Sequence, residues 1–326
     1  MRYFVTGATG FIGKALAKEL LKRGHEVVIL ARTPEKAAEL KALGAEVYKG
    51  DITERETMRA PMTGVDGVFH VAGWYKIGLR DTSGGQAINV EGTRNVLSMM
   101  QELAIPKGVY TSTIAIYSDT HGIEVDESFQ FNGEHIAVYN RTKADAHKVA
   151  DEFIAHGLPL VIVQPGLVYG PGDEGPGHDT FQMWLKGQLP MLVSSTAFTW
   201  CHVDDIVEGH LLAMEKGRIG ESYIIGGESM KLTEAMKIAS EITGVKLPLM
   251  TLPGGLVRSF GAIMGIVEKA FPVPLIFTSE YLRVGAATYL GSSAKARREL
   301  GYQPRPVREG FIETMRWEME QAGRRT

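Results

Sequence analysis

Short β-branched runs alternate with helical patterns through the first half of the chain. Strand patterns fall at residues 3–5, 27–30, 46–49, 67–71, 108–111 and 160–163. Between the first two, Leu16, Leu20 and Leu21 occupy one helical face, Lys14, Lys18, Glu19, Lys22 and Arg23 take the other, and Gly24 ends the helix. Further helix patterns lie near 34–43, 88–103 and 139–156. This alternation predicts an α/β fold, a Rossmann-type doubly wound parallel sheet covered by crossover helices.

The texture changes after Gly170, where Pro171-Gly172-Asp173-Glu174-Gly175-Pro176-Gly177 forms a turn-rich stretch that neither helix nor strand continues through. Helix patterns then recur near 180–185, 204–215, 231–242 and 254–270, with an apolar run at 223–225. We expect a nucleotide-binding domain over residues 1–170 with a return near 200–225, and a smaller substrate-binding lobe from 171–199 and 226–326. The 252–277 stretch is apolar but broken by Arg258, Glu268, Lys269 and three prolines, so no bilayer span is expected.

Composition narrows the classes. Of 326 residues, 44% are hydrophobic and 22% charged, which excludes a disordered, collagen-like or coiled-coil chain. Lys plus Arg number 35 against 38 Asp plus Glu, a net charge of -3, so nucleic acid is not an expected partner. The single cysteine, Cys201, excludes an internal disulfide, and a cytoplasmic location is the expectation.

Gly7-Ala8-Thr9-Gly10-Phe11-Ile12-Gly13 follows the first strand and opens the first helix. Glycines there let the backbone turn tightly and approach a pyrophosphate, which the N–H groups of a helix N-terminus favour. Gly7, Thr9, Gly10, Phe11, Ile12 and Gly13 are therefore candidate cofactor contacts. A nucleoside-triphosphate loop is excluded, because Gly13-Lys14 is flanked by Ala8 and Ala15 where that motif needs glycine and a hydroxyl. The second strand ends in Ala31-Arg32-Thr33 with Lys36 one turn on. Cations in place of the usual acidic residue predict a preference for NADP(H), with NAD(H) as the alternative.

Tyr139 and Lys143 stand four apart in a helical pattern and so share a face. A phenol beside an ammonium can exchange a proton near neutral pH. Upstream, Tyr110-Thr111-Ser112-Thr113 offers hydroxyls at a strand end that could hold the same reacting oxygen.

Taken in order, these segments resemble the extended short-chain dehydrogenases/reductases, also grouped as NAD-dependent epimerase/dehydratase proteins. The resemblance runs through Gly50-Asp51-Ile52, Val68-Phe69-His70-Val71-Ala72-Gly73, Asn89-Val90-Glu91-Gly92-Thr93, Thr113 to Tyr117, Pro165-Gly166-Leu167-Val168-Tyr169-Gly170 and His202-Val203-Asp204-Asp205. It is most similar to the dihydroflavonol-reductase-like branch, including hopanoid-associated epimerases. The resemblance implies Tyr139 as general acid/base, Lys143 holding the nicotinamide ribose and lowering the tyrosine pKa, and Thr113 or its neighbour Ser112 as the third catalytic hydroxyl. It further implies Asp51 and Ile52 at the adenine, Val71, Ala72 and Gly73 lining the cofactor, and Pro165, Gly166, Leu167 and Val168 behind the nicotinamide.

Nucleotide-sugar members of the family commonly carry an arginine for the diphosphate where this chain reads Phe198-Thr199-Trp200-Cys201-His202. Losing that cation and gaining aromatics predicts an apolar ketone or aldehyde as substrate. Trp74, Tyr75, Ile77, Met183, Trp184 and Met191 are candidates for its pocket. Cys201 and His202 face opposite sides of a strand, which argues against a nucleophile pair, and Asp204 is expected to cap the next helix. No histidine spacing suggests a metal site. The expected activity is NADPH-dependent carbonyl reduction or the reverse alcohol oxidation. A cofactor-retaining epimerase or dehydratase and a non-catalytic NADP sensor are the alternatives, and a homodimer is possible.

Overall fold

In the computed structural model, which describes residues 1–324, that alternation becomes a doubly wound sheet. The chain order is β1 (Arg2–Thr6), α1 (Phe11–Lys22), β2 (Glu26–Ala31), α2 (Ala38–Ala42), β3 (Glu46–Lys49), α3 (Arg59–Met62) and β4 (Gly67–His70). A π-helical segment (Gly85–Gly92) then runs into α4 (Thr93–Glu102), β5 (Gly108–Thr111), α5 (Val138–Ala155) and β6 (Leu160–Pro165). The remainder is β7 (Leu167–Tyr169), α6 (Pro176–Leu185), β8 (Met191–Val193), β9 (Ala197–His202), α7 (Val203–Lys216), β10 (Ser222–Ile225), β11 (Ser229–Lys231) and α8 (Leu232–Thr243). It closes with β12 (Met250–Leu252), α9 (Gly254–Ala270), α10 (Ser279–Gly285), β13 (Thr288–Tyr289), α11 (Ala294–Leu300) and α12 (Val307–Gln321).

Seven parallel strands pair in the order β10-β6-β5-β4-β1-β2-β3. Their interior strands are buried on both faces, which is why they read as continuous apolar runs rather than alternating ones. Val5, Ile29, Phe69 and Tyr223 join α1 and α7 on one side, while Phe4, Val28, Tyr110 and Ile162 join α4 and α5 on the other. The strand order reverses between β1 and β4, and the crevice outside the carboxyl ends of the strands at such a reversal is where a ligand can lie.

The later elements build a second layer around β9, which pairs parallel with β7 and β13 and antiparallel with β11. Tyr169, Phe181, Trp184, Trp200, Phe311 and Met315 fill a core beneath α6, α8 and α12. β10 returns to the large sheet beside β6.

Several local expectations change. The 34–43 pattern begins as a 3-10 turn at Pro34–Ala37 before α2. The 88–103 pattern is not one regular helix: its first turns are π-helical, because the Asn89 side chain is drawn out of helical register to bond Trp74 and Thr142. The cap of α7 is His202, whose Nδ1 accepts the Asp204 N–H at 3.3 Å, rather than Asp204 itself. The strand expected at Cys201 and His202 is the end of β9, whereas α12 was not anticipated, although the spacing of Val307, Phe311 and Met315 carried the helical signal.

Candidate functional site

The glycine loop sits at the carboxyl end of β1. Gly7 has a φ of +74°, and a Cβ there would lie 2.6 Å from the Ala72 nitrogen. One on Gly13 would lie 2.3 Å from the Gly7 carbonyl oxygen. These two glycines let the loop fold tightly onto α1 and onto the segment after β4. Gly10 is different: its nearest protein atom would be 3.5 Å away, so nothing in the chain itself demands glycine there. Gly10 and Thr9 are exposed, Phe11 and Ile12 are half-buried, and the α1 N-terminus carries no side-chain cap. Unclaimed amides beside an uncrowded glycine fit a pyrophosphate.

The Thr6 hydroxyl accepts the Val71 and Ala72 N–H groups at 3.2 and 3.1 Å and pairs with His70 Nδ1 at 2.8 Å. His70 Nε2 meets the Thr93 hydroxyl at 3.0 Å. Burial pushes the imidazole down to about 3, so it is neutral and serves as a brace. This brace fixes Val71, Ala72 and the exposed Gly73 against the glycine loop. Arg32 and Lys36 are both exposed beyond β2, and Arg32 Nε stands 4.0 Å from the Asp51 carboxylate. Asp51 also accepts from the Thr53 backbone and hydroxyl, both at 2.9 Å. The Ile52 side chain is buried against Gly92.

At the other end of the crevice α5 carries Tyr139 and Lys143, as the four-residue spacing requires. The Thr113 hydroxyl pulls the Tyr139 phenol down against the effect of burial, and it accepts the Ala115 N–H at 3.1 Å, capping a short 3-10 turn. Ser112 turns the other way: its hydroxyl pairs with the half-buried His147 Nδ1 at 2.8 Å. Of the two hydroxyls left open by the sequence, Ser112 is engaged with His147, while Thr113 acts on the Tyr139 phenol. Tyr75 packs edge-on against the Tyr139 ring with centroids 4.6 Å apart. Asn89 fixes the segment holding Tyr75 by accepting the Trp74 N–H at 2.7 Å and donating to its carbonyl at 3.1 Å.

Lys143 is buried, and its Nζ donates to the Thr111 carbonyl at 2.7 Å and to the Tyr110 hydroxyl at 3.2 Å. Burial pushes its pKa down to about 7. Burial likewise pushes Tyr139 up to about 12, with the Thr113 hydroxyl pulling in the opposite direction. Burial thus moves the two groups in opposite directions, raising the phenol and lowering the ammonium. Two protein acceptors leave an ammonium one donor to offer a ligand, and a Cβ on the open Gly73 would come within 4.0 Å of Nζ.

Pro165, Gly166, Leu167 and Val168 link β6 to β7, with Gly166 pressed so closely on β9 that a Cβ would lie 2.2 Å from the Thr199 carbonyl oxygen. Phe198 on that strand stacks on Tyr289, whose hydroxyl receives the Asn140 amide at 3.4 Å. Two pocket candidates lie elsewhere. Trp184 is in the core beneath α12, its Nε1 donating to the Lys246 carbonyl at 3.0 Å, because a large amphipathic ring is best satisfied inside the lobe. Met191 is half-buried in β8, paired in register with Met250. Cys201 is buried against the Tyr302 hydroxyl at 3.0 Å and its thiol is pushed up to about 12, which disposes of a thiolate. His202, Asp204 and Glu313 bring ligand atoms within 4.8 Å of one another, a proximity the spacing did not suggest. The sequence gives no sign of the bracing role of Asn89, of the contacts of Asn140 or of the Tyr110 hydroxyl as a partner of Lys143, because these appear only once β4, β5 and α5 are side by side.

A family model described as NAD dependent epimerase/dehydratase matches residues 3–226. The chain is 30% identical to the 4-hydroxy-2-methyl-3-oxo-4-farnesyl-3,4-dihydroquinoline-1-oxide ketoreductase of Stigmatella aurantiaca, covering 97% of this chain and 96% of that one. It is 30% identical to a 3-beta-hydroxysteroid dehydrogenase of Mycolicibacterium neoaurum, covering 93% and 87%. The crystal structure of gox2253 superimposes with a TM-score of 0.85 at 33% identity, covering 99% of both chains.

Proposed function

The chain belongs to the NAD dependent epimerase/dehydratase family and is an NAD(P)-dependent oxidoreductase of the extended short-chain dehydrogenase/reductase type; from that premise we propose that it is an NADPH-dependent carbonyl reductase acting on an apolar small molecule, or the reverse alcohol dehydrogenase. The observation that carries this reading is Tyr139 and Lys143 together on α5, with the Tyr75 ring packed on the phenol and the Thr113 hydroxyl acting on it.

The cofactor, when bound, supplies or accepts the hydride at the substrate carbon. The chain does the rest. Tyr139, held near a pKa of 12, is protonated at neutral pH and hands its proton to the substrate oxygen. The Thr113 hydroxyl then donates to the phenolate left behind. Lys143 offers its remaining donor to the ribose, and with its pKa pushed down to about 7 it is close to its titration point at neutral pH. Tyr75 keeps water off the phenol. The uncapped α1 amides receive the pyrophosphate, and Arg32 with Lys36 receives a 2'-phosphate, which is our reason for preferring NADP(H) over NAD(H). The division at Gly170 into a cofactor-binding part and a substrate lobe belongs to the same proposal.

An apolar substrate is supported by the half-buried Phe198 on β9, where nucleotide-sugar members carry a diphosphate-binding arginine nearby, and by relatives named for a farnesylated ketone and a hydroxysteroid. The test is NADPH consumption with a panel of apolar ketones and aldehydes, run beside NADH. Stoichiometric, substrate-dependent consumption is expected. Cofactor binding without net consumption by any of them would replace the reductase with a cofactor-retaining epimerase or dehydratase.

A further inference from the structure

Helix α9 is built inside out. Gly261 and Gly265 face α10, where added Cβ atoms would lie 3.2 Å from Leu282 Cβ and 3.3 Å from Ser279 Cβ. These two glycines make the close contact with α10, beside the buried Val257 and the half-buried Met264 and Val267. Large residues, Leu256, Phe260, Ile263 and Ile266, recur at helical spacing on the outward face, and Ile266 is 74% exposed. Phe271 and then Leu275, Ile276 and Phe277 extend the same apolar surface, with Phe260 and Phe277 edge to edge at 6.5 Å. A helix that merely covered a core would be oriented the other way, and a contiguous exposed apolar face of this kind marks an interaction surface.

That surface adjoins the candidate site. The loop carrying Tyr75 packs on it through Gly78, where a Cβ would lie 2.4 Å from the Thr278 hydroxyl and 3.0 Å from Leu275, and Arg80 donates to the Phe271 carbonyl at 3.4 Å. Tyr75 and Leu79 are themselves exposed between Tyr139 and this surface.

The surrounding charges are one-sided. Over residues 74–84 and 253–285 the exposed ionisable side chains are Lys76, Arg80, Arg258, Lys269 and Arg283 against Asp81 alone. The other two carboxylates turn inward, Glu268 onto the Ser279 amide and hydroxyl and Glu280 onto the Val138 amide. The chain as a whole carries a net charge of -3, so this cationic rim runs against its background.

We propose that α9 and the 271–277 segment seat the protein on an anionic lipid bilayer, with the apolar side chains in the headgroup boundary and the cations among the phosphates. The helix has 17 residues with three charged side chains, so it lies along the interface rather than crossing it. A second copy of the chain is disfavoured by the like charges two such rims would bring together. The further consequence, that the substrate is a bilayer-resident lipid ketone or alcohol reaching Tyr139 past Tyr75 and Leu79, rests on the carbonyl-reductase reading; the seating does not.

The test is co-sedimentation of the purified full chain with vesicles of phosphatidylcholine alone and with roughly a third phosphatidylglycerol. We expect binding to the anionic vesicles about ten-fold above the neutral ones, weakened by salt. Ile263→Glu with Ile266→Glu lowers it about ten-fold while NADPH binding stays at the wild-type level, and Lys76→Glu with Lys269→Glu removes the anionic preference. Failure to bind either vesicle, or glutamate variants that bind like wild type, overturns the proposal. So does a solution dimer that the isoleucine substitutions dissociate, since a second copy would then cover the face. None of these readouts depends on turnover, so a failed reductase assay leaves the seating intact.

Discussion

The ring of Tyr75 stands edge-on against that of Tyr139 at 4.6 Å, on a phenol that burial has pushed up to about 12. Such aromatic pairs contribute about 0.5–1.5 kcal/mol beyond their buried area. Tyr75→Ala opens the phenol to water, so its pKa falls from about 12 toward the ordinary value near 10. Ultraviolet difference titration of wild type and variant reads the shift, and KM for an apolar carbonyl rises roughly three- to ten-fold. Tyr75→Phe keeps the ring and changes neither quantity; an equal effect of both substitutions would remove the ring contact as the cause.

Tyr139→Phe removes the proton and leaves the fold, so turnover falls by about 10²–10⁴ while NADPH affinity changes little. Thr113→Val tests the hydroxyl that acts on the phenol and should reduce kcat at least ~10-fold. Ser112→Ala breaks only the 2.8 Å bond to His147, with a stability loss of about 1 kcal/mol and near-normal kcat. Stopped-flow turnover on the three variants, each checked by thermal unfolding, separates the hydroxyls. A larger kcat loss at Ser112 than at Thr113 would reverse the assignment.

Much of this site was legible because it is local. The glycine loop, the Tyr139 and Lys143 spacing and the strand-end hydroxyls each lie within a few residues, and the helix and strand periods that carry them are strong. What the sequence left open depends on direction or on long-range partners. Adjacent residues Ser112 and Thr113 look alike until the chain turn sends one to His147 and the other to Tyr139. Lys143 finds its acceptors on β5, 32 and 33 residues away. Trp184 misleads because an aromatic residue after a loop reads equally as pocket or core, and only the Lys246 carbonyl decides it. The π-helical turn has no sequence period of its own; Asn89 creates it by bonding across to Trp74 and Thr142.

Arg32 and Asp51 define a third test. The carboxylate 4.0 Å from Arg32 Nε competes for the guanidinium, and a 2'-phosphate with its greater charge should win it. Arg32→Asp therefore weakens NADPH about 10- to 100-fold and NADH little, each read by fluorescence titration. Asp51→Asn frees the arginine and tightens NADPH by a few-fold. An equal loss of both cofactors in Arg32→Asp would refute the 2'-phosphate role.

Acid stability provides the final prediction. His210 is buried, its Nδ1 paired with the Ile206 carbonyl at 2.7 Å and its Nε2 with the Thr111 hydroxyl at 2.9 Å. Burial pushes it down to about 4, and His147 likewise to about 4. The unfolded chain takes up these protons near pH 6.5 and the folded chain only near pH 4, so in between the unfolded state holds more protons. The stability each neutral histidine contributes is thus present above pH 6.5 and lost as pH falls toward 4, roughly 3 kcal/mol apiece. His210→Gln should lower stability at pH 7 by about 1–2 kcal/mol through poorer hydrogen bonding. Between pH 6.5 and 4 its slope of unfolding free energy against pH should flatten by up to about 1.4 kcal/mol per pH unit, one proton's worth. Urea unfolding of both proteins across that range measures the slopes, and parallel curves would mean that His210 takes up its proton without unfolding the chain.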